Sequence, residues 1–212
     1  VVYSGGDDSL GPVEDKTLIE RVKRRYGIEG DYILHIGTLH PRKNLVRLIE
    51  AYNLLKNKRR GMELMEIKLV LAGKKGWLYE EIFRRVEALG LIGEVLFPGY
   101  VEQDDLAALL SGACLFVLPS LYEGFGFPVL EAMACGTAVV CSNVSSLPEV
   151  AGEAALLVNP LDITALAEAM EQVLDDERLS ADLVRRGFEQ VKKFSWDRCA
   201  RQTLAVLENA LA

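Results

Sequence analysis

The sequence predicts an α/β protein with a doubly wound, Rossmann-like parallel sheet. Three observations carry that expectation. Short apolar runs recur at residues 32–36, 67–72, 94–97, 114–118, 138–141 and 155–158. They are nearly continuous rather than alternating, as strands covered on both faces are. Helical patterns follow them near residues 43–57, 78–89, 103–111, 128–135 and 162–174, and such alternation builds a parallel sheet with helices on both sides. Four glycine-bearing loops then fall at one end of the sheet, the carboxyl end, where open α/β sheets bind ligands.

The chain divides into three parts. Residues 1–30 read as an interdomain linker and leading helix: Val1–Pro12 runs into turns, and Thr17–Tyr26 is a charged helix stopped by Gly27. This opening looks like a cut made between domains. Residues 31–175 hold the Rossmann-like unit. Residues 176–212 carry consecutive helices at Arg178–Val191 and Trp196–Leu211, joined where Ser195 can serve as an N-cap. Leu204, Val206, Leu207 and Leu211 give the last helix an apolar face, expected to pack on its own domain.

Composition excludes several classes. The chain has 212 residues, half of them hydrophobic, enough for a substantial core. No apolar run approaches the roughly 18 residues needed to span a bilayer, and no signal peptide opens the chain. A net charge of −7 argues against a general nucleic-acid partner. The basic clusters Arg21-Val-Lys-Arg-Arg25 and Lys56-Asn-Lys-Arg-Arg60 read as solvated helix faces. Cys114, Cys135, Cys141 and Cys199 lack paired metal spacing, and only His35 and His40 are present, so no metal site is expected. Reduced thiols suit a cytoplasmic setting.

Leu115–Gly136 is the most informative stretch. It reads as a buried strand, a glycine-hinged loop opened by Glu123, and a short helix carrying Glu131. Pro128 suits the first helical position and Gly136 the left-handed stop. Gly124 and Gly126 allow close approach to a ligand just before a helix N-terminus, which favours anions. Two carboxylates beside it offer acceptors for sugar hydroxyls, the pattern of a nucleotide-sugar site.

A second loop, Gly37-Thr-Leu-His-Pro-Arg-Lys-Asn44, follows the first strand. The next helix is expected to begin near Arg42, which would place Arg42 and Lys43 in its first turn. The helix dipole disfavours each cation there by roughly 0.3–1 kcal/mol. A diphosphate docked on this turn would offset that cost; the alternative is a pair of solvated surface cations. Gly73 and Lys74 after the second strand, and Tyr100 and Val101 after the third, complete the four loops. Neither G-x-G-x-x-G nor D-x-D occurs, which weakens dinucleotide-oxidoreductase and metal-diphosphate readings.

These segments resemble a known family. Glu123-Gly-Phe-Gly-Phe-Pro-Val-Leu-Glu131 is similar to the two-glutamate motif of retaining GT-B glycosyltransferases. The likeness continues through Ala132–Val140 and Pro148-Glu-Val, with Ile33–Leu45 as the first strand and basic loop. It spans roughly Tyr32 to the C-terminus, with several motifs in the expected order. It implies the C-terminal, donor-binding half of a GT-B fold. It further implies hexosyl transfer, of mannose or glucose type, from a nucleotide-diphosphate sugar with retention at the anomeric carbon, in polysaccharide biosynthesis.

By this resemblance Glu131 binds ribose hydroxyls and Glu123 those of the transferred sugar. Gly124, Phe125 and Gly126, with Val129 and Leu130 behind them, meet the sugar and diphosphate; Gly37, Thr38, Gly73 and Lys74 flank the phosphates; Tyr100 and Val101 line the base. Lys43, Arg42 and Glu123 are the catalytic candidates. Many members carry an arginine directly after the glycine of the first loop; here that place is Thr38, and Arg42 is the candidate substitute. No cofactor or metal is implied. The donor is GDP-mannose, UDP-glucose or similar, with the Pro-Arg-Lys-Asn loop favouring GDP-mannose. The acceptor comes from an N-terminal domain of the same protein, toward which the last helix crosses in this family. The isolated domain is expected to be inactive, in a cytoplasmic setting with contact at the inner membrane surface as a lesser reading. The competing readings are a nucleotide-sugar-binding domain without transferase activity and a sugar-nucleotide epimerase.

Overall fold

A computed structural model describes residues 1–58 and 67–211 of the chain; Arg59 and Arg60 lie outside the described residues. Six parallel strands form one sheet in the order β3-β2-β1-β4-β5-β6. They are β1 (Tyr32–Ile36), β2 (Lys68–Ala72), β3 (Val95–Gly99), β4 (Leu115–Leu118), β5 (Val139–Ser142) and β6 (Leu156–Val158). The doubly wound expectation is borne out. The chain builds outward from β1 to β3, then returns to place β4 on the other side of β1, with Ile33 beside Leu115 and Leu34 beside Phe116. That reversal opens a crevice at the carboxyl ends of β1 and β4.

Alternation along the strands sorts the core into two layers. Leu34, Val70, Phe116, Leu118 and Val139 pack with Val22 of α1 (Lys16–Arg25), Leu109 of α4 (Gln103–Ser111) and Met133 of α5 (Phe127–Ala134). Ile33, Leu69, Leu71, Leu115 and Val117 pack with Leu48 and Tyr52 of α2 (Leu45–Lys58), Ile82 of α3 (Glu80–Ala88) and Met170 of α7 (Ile163–Asp175). Each of these large side chains, nearly all withdrawn from water, contributes roughly 1.5–3 kcal/mol of burial. Cys135 and Cys141 are buried among them, and burial pushes both thiols up to about 12.

Helix starts follow local chemistry. Asp15, Asp162 and Asp176 accept backbone N–H groups at the heads of α1, α7 and α8 (Glu177–Val191), and Ser195 accepts from Arg198 N at the head of α9 (Trp196–Leu211). Such caps are worth about 1 kcal/mol each. Gly136 takes its left-handed stop at φ 76°.

The structure corrects three expectations and adds one element. No helix starts at Arg42: Pro41–Lys43 form a separate 3-10 turn, Asn44 is left-handed at φ 60°, and α2 begins at Leu45. Between β5 and β6 the structure adds a short helix, α6 (Leu147–Ala151), in a segment for which the sequence pattern predicts no element. The basic run in α1 is not simply solvated, since Lys23 is buried and Arg25 reaches Asp105 at 2.6 Å. Finally, α9 does not bury its apolar face on this domain: Leu204, Val206 and Leu207 are each more than half exposed. Among the described residues, no helix is long and apolar enough to cross a membrane.

Candidate functional site

Asn44 organises the loop after β1. Its left-handed backbone lets the side-chain Nδ2 donate to Pro119 O at 3.0 Å and Pro160 O at 2.6 Å, two carbonyls far away in sequence. Leu121 N donates to Arg42 O at 2.8 Å, and an Arg42 guanidinium N–H donates to Tyr122 O at 2.6 Å. The 3-10 turn is thereby fastened to the loop between β4 and α5, at the mouth of the crevice.

This fastening brings Lys43, Arg42 and Glu123 together. Lys43 Nζ donates to Glu123 Oε1 at 2.6 Å and Arg42 to Oε2 at 2.9 Å. Ser120 Oγ donates the third bond to this carboxylate, the second to Oε1, at 2.6 Å. Lys43 and Glu123 side chains are each 9% exposed, whereas Arg42 is 42% exposed. Burial raises the Glu123 carboxyl, but the bonds from Lys43 and Ser120 and the charges of Lys43 and Arg42 outweigh it, leaving a net shift downward. The cationic turn therefore has an anionic partner inside the protein. Because Asn44 separates both cations from α2, the anticipated dipole penalty does not arise.

The rest of the β4–α5 loop is held by hydroxyls. Glu123 N donates to Ser145 Oγ, and Ser146 Oγ donates to Phe125 O at 2.6 Å. Gly124 is exposed and faces open space. Gly126, left-handed at φ 116°, precedes α5, and a Cβ there would stand 2.8 Å from Leu147. Val129 and Leu130 are in the core at 0% and 2% exposure, so their side chains are not available to a ligand.

Beside this cluster lies a cavity of about 340 Å³ lined by Gly37, Thr38, Gly73, Lys74, Tyr100, Val101 and Glu131, among others. Seven of the residues singled out from the sequence thus converge. Lys74 Nζ sits 4.5 Å from the centre of the Tyr100 ring, a cation–π contact at the cavity edge. Gly73 serves packing first: its N–H donates to Gly99 O at 2.7 Å, and a Cβ there would stand 2.0 Å from Gly37 O. Glu131 also borders a second cavity with Asp7, Asp8 and Trp196. Burial, then the Asp7 charge, hold its carboxyl above the ordinary glutamate range.

One residue at this site escaped the sequence reading. His35 is fully buried on β1, with Nδ1 2.9 Å from Val117 O and, among the described residues, no partner at Nε2. Its only signal was a polar residue inside an apolar strand. Elsewhere, a cavity of about 780 Å³ between α6 and α8 is lined by Arg185, Arg186 and Glu153 among others, and holds none of the candidate residues. Among the described residues no group of three His, Cys, Asp or Glu side chains could hold a metal ion.

The strand order and the crevice at its switch point define a Rossmann-like, ligand-binding α/β domain. The chain belongs to the glycosyl transferases group 1 family, which matches residues 19–190. It is 44% identical over 173 residues to the O-antigen chain mannosyltransferase B of Escherichia coli, covering 82% of this chain and 44% of that protein. Among solved structures, sucrose-phosphate synthase from Thermosynechococcus elongatus superposes with a TM-score of 0.78 at 29% identity, covering 95% of this chain and 50% of the other. Anabaena HepE, solved in complex with UDP and glucose, superposes at 0.84 with 22% identity, over 98% of this chain and 56% of its own. The chain therefore spans about half the length of these proteins or less.

Proposed function

We propose that this chain is the donor-binding part of a hexosyltransferase acting on a nucleoside-diphosphate sugar, with GDP-mannose the favoured donor. The observation that carries this reading is the Lys43–Glu123–Arg42 cluster set against the cavity at the switch point. The E. coli relative is a mannosyltransferase, and the HepE complex holds UDP and glucose; both support a nucleotide hexose as donor.

In this reading the base lies by Tyr100 and Val101, the ribose hydroxyls donate to Glu131, and the diphosphate passes Gly37 and Thr38 toward Lys43. The sugar hydroxyls take over part of Glu123. Cleavage of the bond to the diphosphate passes through an oxocarbenium-like state and leaves negative charge on the phosphate. Lys43, Arg42 and the N-terminal end of α5 stabilise that charge without a metal. Removing one such placed donor costs about 2.7–4 kcal/mol. Glu123 serves as a sugar-binding carboxylate rather than a hydrolase-type nucleophile, and transfer proceeds with retention. An N-terminal domain supplies the acceptor and covers the exposed apolar residues of α9, so this chain alone binds donor without efficient transfer. Its setting is cytoplasmic.

The test is calorimetric titration with GDP, UDP, ADP and their hexose conjugates, in EDTA and again with magnesium. Saturable metal-independent binding of one nucleotide, lost in Lys43→Ala, is expected. Binding unaffected by Lys43→Ala would remove the phosphate role of the cluster, and isomerisation of the nucleotide sugar without acceptor would favour an epimerase instead.

A further inference from the structure

His35 stands directly behind the catalytic candidates, and its chemistry is narrowly defined. A carbonyl oxygen can only accept, so the contact with Val117 O requires the proton on Nδ1. In the neutral ring Nε2 is then a bare lone pair. It is buried and without a partner among the described residues, a condition that normally costs free energy.

Two charged groups, Lys43 and Glu123, act on this ring, and Lys43 shares the space beside Gly37 with it. An atom placed where Gly37 lacks a Cβ would be 3.2 Å from His35 Nε2, 3.1 Å from Lys43 Cε and 3.3 Å from Lys43 Nζ. The imidazole and the ammonium therefore both border the narrow space beside Gly37. Burial, with a smaller contribution from the Lys43 charge, lowers the His35 pKa to about 4, against the raising effects of the Val117 contact and Glu123. The ring thus stays an acceptor at neutral pH.

Lys43 has three N–H donors, and one is engaged by Glu123 Oε1. A ligand whose hydroxyls recruit Glu123 would loosen that bond at the moment the ammonium must face a phosphate. A lysine on its flexible four-carbon stem is held more closely in place by a second acceptor than by one. We propose that His35 is a positioning residue for Lys43: its Nε2 accepts from the ammonium when Lys43 turns from Glu123 to the diphosphate of a bound nucleotide. This rests on the donor-binding reading of the cluster. It adds an acceptor on the rigid strand β1, which holds the lysine in register while its anionic partner changes.

The experiment uses the whole chain and compares GDP or UDP, whichever binds, with the corresponding nucleoside. His35→Asn keeps an amide N–H where Nδ1 donates to Val117 O but removes the Nε2 acceptor; His35→Gln can place an amide oxygen near Nε2. His35→Asn is expected to weaken nucleoside-diphosphate binding on the order of tenfold, as loss of one hydrogen bond to a charged group does. It should leave nucleoside binding unchanged, and His35→Gln should restore most of the loss. In the parent, the Nε2 resonance in a ¹H–¹⁵N spectrum should move upfield when the diphosphate binds; with only His35 and His40 in the chain, assignment is direct. Parent-like diphosphate affinity in His35→Asn, or an Nε2 signal unmoved by the ligand, overturns the proposal. If Lys43→Ala still loses affinity in that case, the donor site stands and only the role of His35 falls. If neither variant changes binding, the site reading fails and this inference with it.

Discussion

Lys43 Nζ lies 2.6 Å from Glu123 Oε1 with both side chains 9% exposed, across a sequence separation of 80 residues. This pair ties the loop after β1 to the loop after β4, the two strands that flank the switch point. Removing one partner of so buried a pair leaves a desolvated charge, which costs about 3–5 kcal/mol. We expect Lys43→Met and Glu123→Leu each to lose stability on that scale in urea unfolding, with the double variant well below the sum. Arg42 differs: its own side chain is 42% exposed, and Arg42→Ala should cost at most about 1 kcal/mol. Additive losses for Lys43 and Glu123 would show that the pair is not coupled.

The pH dependence of stability follows from His35. Its pKa falls from 6.5 to about 4 on burial. Between those values the unfolded chain holds a proton on this ring that the folded chain does not, so stability falls as pH falls through the window and is fully present above 6.5. At 1.36 kcal/mol per pH unit the loss amounts to roughly 3 kcal/mol. Unfolding free energies of the parent and His35→Asn, compared from pH 7 to 4, should converge by about this amount toward the acid end. Parallel curves would mean that the ring is protonated in the native state.

The central strands were legible because they are covered on both faces, so Ile33–Leu34 or Phe116–Val117 reads as an unbroken apolar run. The gathering of Gly37, Gly73, Tyr100 and Glu131 around one cavity was legible too, because a parallel sheet brings all its carboxyl-end loops to one side. The turn at Pro41–Lys43 was not. Asn44 takes its left-handed conformation with Pro119 and Pro160 carbonyls as partners, and no local pattern names partners so distant. The same holds for Glu123 as the partner of Lys43. Val129 and Leu130 show the opposite failure: a motif that marks a ligand loop also runs into the helix that anchors it, and these two residues do the anchoring.

Glu131 sits at a cost that its role can explain. Its carboxyl is raised by burial and by Asp7, so the ionised form destabilises the folded chain above the ordinary glutamate pKa and ceases to do so once protonated. Glu131→Gln should therefore hold or raise the melting temperature at pH 7 while erasing the preference of the site for a ribonucleotide over its 2′,3′-dideoxy analogue. Lost stability with intact preference would place Glu131 among structural residues instead.

Gly37 and Gly73 lie backbone against backbone yet should respond to alanine to different extents. At Gly73 the new Cβ would fall 2.0 Å from Gly37 O, with φ at 148°. Backbone on both sides cannot yield, so Gly73→Ala must displace one of the loops; we expect a loss of at least about 2 kcal/mol in stability. At Gly37 the nearest atoms are Lys43 Cε at 3.1 Å, His35 Nε2 at 3.2 Å and Lys43 Nζ at 3.3 Å. The end of a lysine can shift by a few tenths of an ångström, whereas the buried His35 ring cannot and φ here is 159°, so Gly37→Ala should fold with a loss of about 1–2 kcal/mol from strain and overpacking. Its methyl group would stand between the imidazole and the ammonium. Diphosphate binding should accordingly weaken in Gly37→Ala far more than its melting temperature falls. Equal stability losses in the two variants would mean that the space beside Gly37 is closed by packing and not kept open for Lys43.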